Sequence, residues 1–351
     1  MKKHVPFRLG KGSVSLLLDQ KALWITIGCT FLLLAIFVVS TGMGEQFFEP
    51  WRVLTILSGQ GDAFEQLVVY SFRMPRIIIS ILVGMSLAAA GAILQAVVRN
   101  PLASPDIIGI TGGASVAVVL FLAVFTDRSN ALTVSIHWLP LSAFAGAAIV
   151  TFLLYILAWK NGLSPVRLVL IGIGMWALTK AMTTLFMILG PIYQASQANV
   201  WITGSIYGAS WQNVWILAPV TVVLLAVVMI MIRHINIQEL GEEIAIGVGT
   251  NVQKQRFLLL LISSALIGSA VAFAGGIGFV GLMAPHIARR LVGSSFGALL
   301  PLSAIIGAIL VLVADTIGRT LFLPVEVPAG VFTAVIGAPY FIYLLYKQRS
   351  A

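Results

Sequence analysis

Two arginines flank a proline in Arg73-Met74-Pro75-Arg76, at the start of an apolar run. A guanidinium grips a carboxylate through two parallel hydrogen bonds, so this pair suits an acidic partner surface, and it equally suits anchoring among lipid headgroups. The four histidines, His4, His137, His234 and His286, are scattered, and no two stand at metal-ligand spacing. The stretch Gly10-Lys11-Gly12-Ser13 lacks the upstream glycine of a phosphate-binding loop, so the chain is not expected to bind ATP itself. No nucleophile, base and orienting group can be assembled, which argues against an enzyme working alone. Glycines at 275, 276, 278 and 281 break any helix there and permit close backbone contact. Pro285-His286 follows, then the basic pair Arg289-Arg290, and His286 reads as structural rather than as a metal ligand. Lys180 lies deep within an apolar run. A charge there is costly and faces protein or water, so Lys180 either pairs structurally or attracts an anion along a pathway.

The elements that carry these residues must live in lipid. The 351 residues are 59% hydrophobic and 9% charged, against about 25% charged in a soluble domain. A helix needs roughly 20 apolar residues to cross a bilayer. The apolar runs predict an all-α polytopic protein of about ten transmembrane helices, near 22–42, 74–98, 106–126, 137–159, 168–190, 212–233, 255–274, 279–292, 298–317 and 329–346. One membrane domain is expected over 1–351, opening with a basic segment, 1–21. The net charge of +9 reflects the excess of Lys and Arg in cytoplasmic loops, with no call for nucleic acid. With the N-terminus inside, fifteen basic residues fall on the inner side, five on the outer side (Arg52, Arg73, Arg76, Arg128, Arg319), and Lys180 within a span. Both termini are therefore expected to be cytoplasmic. The single cysteine, Cys29, sits in the first run, which continues to Val39 and reads as a retained anchor. Residues 191–211 predict a short or re-entrant helix on the outer face. Residues 237–251 hold three acidic residues among recurring apolar ones. They predict short amphipathic helices at the membrane surface, a solvated loop, or a ligand for another protein. Ser104-Pro105-Asp106 reads as a helix start, with Ser as cap and Asp at the positive end of the dipole.

Three long motifs, in order, resemble one family. They are RMPR with RNPLASPDIIGITGGA; GGIGFVGLMAPHIARRLVG; and Ala314-Asp315-Thr316-Ile317-Gly318-Arg319 with Glu326-Val327-Pro328-Ala329-Gly330 and Gly337-Ala338-Pro339-Tyr340-Phe341. They are similar to the FecCD-type permeases of iron-siderophore and vitamin B12 importers. The resemblance implies ten spans, pairing with a second permease subunit (a heterodimer is favoured), two cytoplasmic ATPase subunits that hold ATP and Mg, and an extracytoplasmic binding protein that delivers cargo in a bacterial plasma membrane. No cofactor is expected on this chain itself. The resemblance further implies docking of the binding protein at Arg73, Arg76 and Arg319, and coupling to the ATPase through Glu239, Leu240, Gly241 and Ala245. It places a cytoplasmic gate at Asn100 and Leu102, with a second turn at Leu163, Ser164 and Pro165. Iron-siderophore is the expected cargo, with vitamin B12 or haem as the alternative. An ion-coupled secondary transporter is the rival class, for which only Asp106 and Asp315 offer carboxylates near span ends.

Overall fold

Backbone amides in an apolar medium must pair within their own segment, so long runs of Leu, Val, Ile and Ala become helices. In a computed structural model they do. The structure describes all residues except 1–3, 10–13, 107, 128–130, 161, 191, 240 and 349–351, and describes 4–9, 14–18, 192–195, 239 and 348 by backbone alone. The chain opens with a hairpin of β1 (His4–Leu9) and β2 (Val14–Asp19), antiparallel, where only a basic tail was expected. Val, Phe and Leu on either side of a Gly-containing link favour such pairing. After the hairpin the described residues form helices joined by turns and loops, with two isolated β-bridges, Thr126–Leu132 and Trp159–Leu163.

The helices run α1 (Gln20–Gly42), α2 (Pro50–Leu57), α3 (Ala63–Gln66), α4 (Met74–Val98), α5 (Ile110–Val124), α6 (Leu139–Ala158), α7 (Pro165–Leu189), α8 (Ile192–Thr203), α9 (Trp211–Glu239), α10 (Glu242–Gly247), α11 (Val252–Ala274), α12 (Val280–Val292), α13 (Phe296–Thr320) and α14 (Ala329–Gln348). Among the described residues, eight helices are long and apolar enough to cross a membrane. The shorter α5 and α12 occupy the positions of two further expected spans. The expected span 74–98 begins earlier, because α3 and a π-helical turn, Leu67–Arg73, lead into α4 without a break.

α4 is the axis. It is buried along almost its whole length by α9, α11, α12 and α13. Small residues make this possible. A methyl built on Gly84 would overlap the Gly307 carbonyl of α13, and one on Gly91 would overlap the Gly281 carbonyl of α12. Backbones that meet this closely gain packing that lipid cannot supply. The outward faces of α1 and α9 stay exposed and apolar, with Phe31 and Ile230 as examples, and α7 exposes Lys180 among apolar residues such as Trp176.

Candidate functional site

The three arginines meet at one end of the bundle. Helix α1 ends at Gly42, and its last carbonyls must find partners outside the helix, as at every helix end. Arg73 Nη1 donates to the carbonyls of Thr41 (2.7 Å) and Gly42 (3.1 Å), and Nη2 donates to that of Gln46 (2.5 Å). Arg319 Nη1 donates to the Met43 carbonyl (2.6 Å), and Nη2 to the Ser40 carbonyl and hydroxyl. Two cations thus sit at the negative end of a helix dipole, where they are favoured. Arg76 turns to α13. Its Nε and Nη2 hold Asp315 at 3.0 and 2.9 Å, and its Nη1 holds Glu326 at 2.8 Å. Asp315 is 1% exposed and Arg319 Nε lies 3.8 Å from it. All three guanidinium groups are therefore engaged internally, joining α1, α4 and α13. They line a cleft of about 400 Å³, with Glu45, Phe72 and Glu326 at its lip.

The opposite end is organised by the first turn of α11, which the sequence did not single out. Arg256 is 2% exposed. It donates to the Leu163 carbonyl (3.1 Å) and forms an ion pair with Glu242 of α10 (2.8 Å). Gln253 Oε1 accepts from the Leu163 amide at 2.6 Å. Gln255 Oε1 accepts from Gln238 Nε2 at 2.7 Å, and the Gln238 carbonyl accepts from Arg99 at 2.9 Å. Arg99 ends α4 in the left-handed region (φ 55°) and opens the turn in which Asn100 Oδ1 accepts from the Leu102 amide at 2.9 Å. Ser164 follows Leu163 as the N-terminal cap residue of α7. One helical turn therefore fastens both expected gate turns and α10 together. An arginine at the foot of an apolar helix, with Glu242 in the preceding polar segment, was the available signal.

The 237–251 segment holds less separate helix than the short amphipathic helices expected. Residues 237–239 continue α9, Gly241 (φ 134°) turns the chain, and α10 is a single six-residue helix. Glu239 closes α9 by its backbone, and Leu240 lies outside the described residues. Ala245 is buried and pins α10, while Ile244, Ile246 and Val248 are exposed at 53%, 59% and 63%.

Between the two ends the helices are broken. Gly275 (φ 65°) and Phe279 (φ 66°) carry the chain from α11 into α12. The expected helix start at Ser104 is corrected: α5 begins at Ile110, six residues beyond Ser104, and Asp106 has other partners. Its carboxylate accepts from the Phe279 amide at 3.3 Å and from Thr111 Oγ1 at 3.4 Å. It therefore ties the turn after α4 to the break before α12. The 191–211 region is the short α8, whose end meets α14 where the Gly330 amide donates to the Gly204 carbonyl at 3.0 Å. Lys180 lies on the exposed side of α7.

Comparison with known proteins decides what this arrangement is. The model of the FecCD transport family matches residues 32–347. The chain belongs to the FecCD transport family. It is 60% identical to the probable siderophore transport system permease protein YfhA of Bacillus subtilis, over 95% of this chain and 97% of that one. It is 47% identical to the iron(3+)-hydroxamate import system permease protein FhuG of the same organism, over 93% and 97%. A solved structure described as an inward-facing metal-chelate type ABC transporter superposes with a TM-score of 0.82 at 29% identity, covering 93% of this chain and 99% of that one.

Proposed function

We propose that this chain is the permease subunit of an ATP-driven importer that carries ferric siderophores into the bacterial cytoplasm. The observation that carries the reading is the α10 tip. Exposed Ile244, Ile246 and Val248 offer an apolar contact for a second protein, and Arg256 links that tip directly to the Leu163–Ser164 turn. A push on α10 by an ATPase is thereby delivered to the gate. The named relatives, permeases for siderophores and iron(3+)-hydroxamate, support the cargo.

In this reading α5 and α12 join the eight long helices as ten spans, with both termini and α10 cytoplasmic. The arginine end faces outward. There the binding protein docks, on a surface whose shape Arg73, Arg76 and Arg319 fix and whose charge Arg76 and Glu326 set at the cleft lip. Asn100, Leu102 and Ser164 lie at the cytoplasmic gate. Gly241 and Ala245, with Glu239 and Leu240, belong to the coupling segment of two ATPase subunits, which hold ATP and Mg. A second, related permease completes the passage. The rival ion-coupled mechanism needs a carboxylate free to exchange an ion, and Asp315 is held by arginines.

The test is uptake by the complex with its ATPase and binding protein in vesicles, offered ferric siderophores, haem and cobalamin. ATP-dependent entry of a ferric siderophore is expected. Uptake that survives without ATP and collapses with a protonophore would overturn the mechanism; entry of cobalamin or haem alone would overturn the cargo. The link to α10 gives a second expectation. Hydrogen bonds to a charged group contribute about 1.5–3 kcal/mol each. Arg256→Met should therefore lower uptake by about tenfold or more while ATP hydrolysis continues, as paired uptake and phosphate-release assays would record.

A further inference from the structure

Building on the importer reading, we infer that Lys180 stands in an aqueous passage and favours cargo of net negative charge. Helix α7 packs on its own bundle through Leu168, Gly172, Met175, Thr179 and Thr183, all buried at three- and four-residue spacing. Lys180 is exposed, on the flank beyond that stripe, with Trp176, Ala177 and Thr184 beside it at helical spacing and also exposed. Its ammonium forms no ion pair and no hydrogen bond among the described residues. No Asp or Glu occurs anywhere from Pro165 to Thr203.

Depth then decides what this face can touch. Lys180 lies nine residues before Leu189, the last residue of α7, which is about 14 Å along the axis at 1.5 Å per residue. A lysine stem reaches on the order of 6 Å, too short to bring the head to the interface. An unpaired ammonium at such depth is not left in hydrocarbon; it faces protein or a water-filled cavity. The next element argues for water. α8 follows α7 directly, packs against it, and exposes Ser196, Gln197 and Asn199. The exposed flank of α7 around Lys180 and the exposed residues of α8 hold one cation and no carboxylate, a balance that in a water-filled passage concentrates anions and leaves neutral solutes unaffected. Ferric citrate and ferric catecholates are anionic, whereas the core of a ferric trihydroxamate, Fe(3+) with three hydroxamate monoanions, is neutral. Lys180 would thus be a specificity residue for the first group.

Two experiments test this. In the first, binding protein saturated with ferric citrate or with a neutral ferric trihydroxamate feeds the reconstituted complex. Lys180→Gln is expected to lower citrate uptake about tenfold and leave trihydroxamate uptake unchanged, with Lys180→Arg near wild type. Equal losses on both chelates, or no loss on either, overturn the inference. A wild type that carries neither chelate refutes the cargo reading instead, and the same charge comparison then runs between anionic haem and neutral cobalamin. In the second, Lys180→Cys is placed in a Cys29→Ser background beside a cysteine-free partner. Because Cys29 is the chain's one cysteine, label found on this chain, separated from its partners by gel after the assembled complex has met a charged, water-soluble thiol reagent, reports on position 180 alone. Rapid labelling supports the passage, and no labelling overturns it whether or not the transport variants are stable.

Discussion

Asp315→Asn is expected to unfold the arginine end of the bundle. The carboxylate is 1% exposed, Arg76 grips it through two nitrogens, and Arg319 stands 3.8 Å away. Removing its charge leaves Arg73, Arg76 and Arg319 close together, with only the 35%-exposed Glu326 still paired to them. Deleting one partner of a buried pair costs about 3–5 kcal/mol, because the remaining charge keeps its desolvation penalty. At the melting-point sensitivity of larger domains this is a drop of roughly 5–15 °C, readable by size-exclusion chromatography of heated, detergent-solubilised protein. The double variant Asp315→Asn/Arg76→Gln should recover part of the loss, since no unpaired guanidinium then remains at that position. Glu326→Gln should cost under about 1 kcal/mol, as exposed pairs do. An Asp315→Asn protein that melts with the wild type would show that the network contributes nothing. The prediction also bears on docking. The arginines of the proposed docking surface are already engaged, so their first task is to hold α1, α4 and α13 in register beneath it.

The helices were legible because hydropathy in lipid is a nearly sufficient rule. Each expected span coincides with a helix, from α1 at Gln20–Gly42 to α14 at Ala329–Gln348. What escaped the sequence was pairing at a distance. Arg73 and Arg76 stood out as basic residues on the unexpected side, yet nothing local said that Asp315, some 239 positions away, holds one of them. The i, i+4 spacing of Asp315 and Arg319 inside an apolar run was the available hint. Arg256 was hidden in the same way, because a basic residue at a helix end expected to be cytoplasmic already satisfies the charge bias and prompts no search for a partner. The start of α5 was misplaced because Ser104-Pro105-Asp106 has every local feature of a cap. The Asp106 carboxylate instead serves the Phe279 amide, a tertiary demand that overrode local propensity. The hairpin ahead of α1 was missed because a basic segment was read from its charge alone.

Gly91→Val is expected to abolish folded protein. At this crossing a methyl on Gly91 would strike the carbonyl and Cα of Gly281, and backbone has no rotamer to yield. Gly281 has no room to retreat: a methyl on its own Cα would already press on the Pro105 ring and the Leu87 carbonyl. The helices must part, and every contact between α4 and α12 goes with them. Overpacking a flexible core site costs about 1–3 kcal/mol, and a backbone-to-backbone site should exceed that. Gly28→Val is the control, since nothing lies within 4 Å of a methyl there; it should leave yield and melting unchanged. A monodisperse Gly91→Val protein of wild-type stability would refute the packing described. Gly91→Ala isolates the crossing itself. Its methyl already falls on the Gly281 carbonyl, so it should lose folded protein as Gly91→Val does, by forcing α12 from α4 at the level where Pro105 meets Gly281 and Asp106 meets Phe279. An Ala variant of wild-type stability would show that the two backbones can part by the width of a methyl without cost, because no side chain is present there to yield in their place.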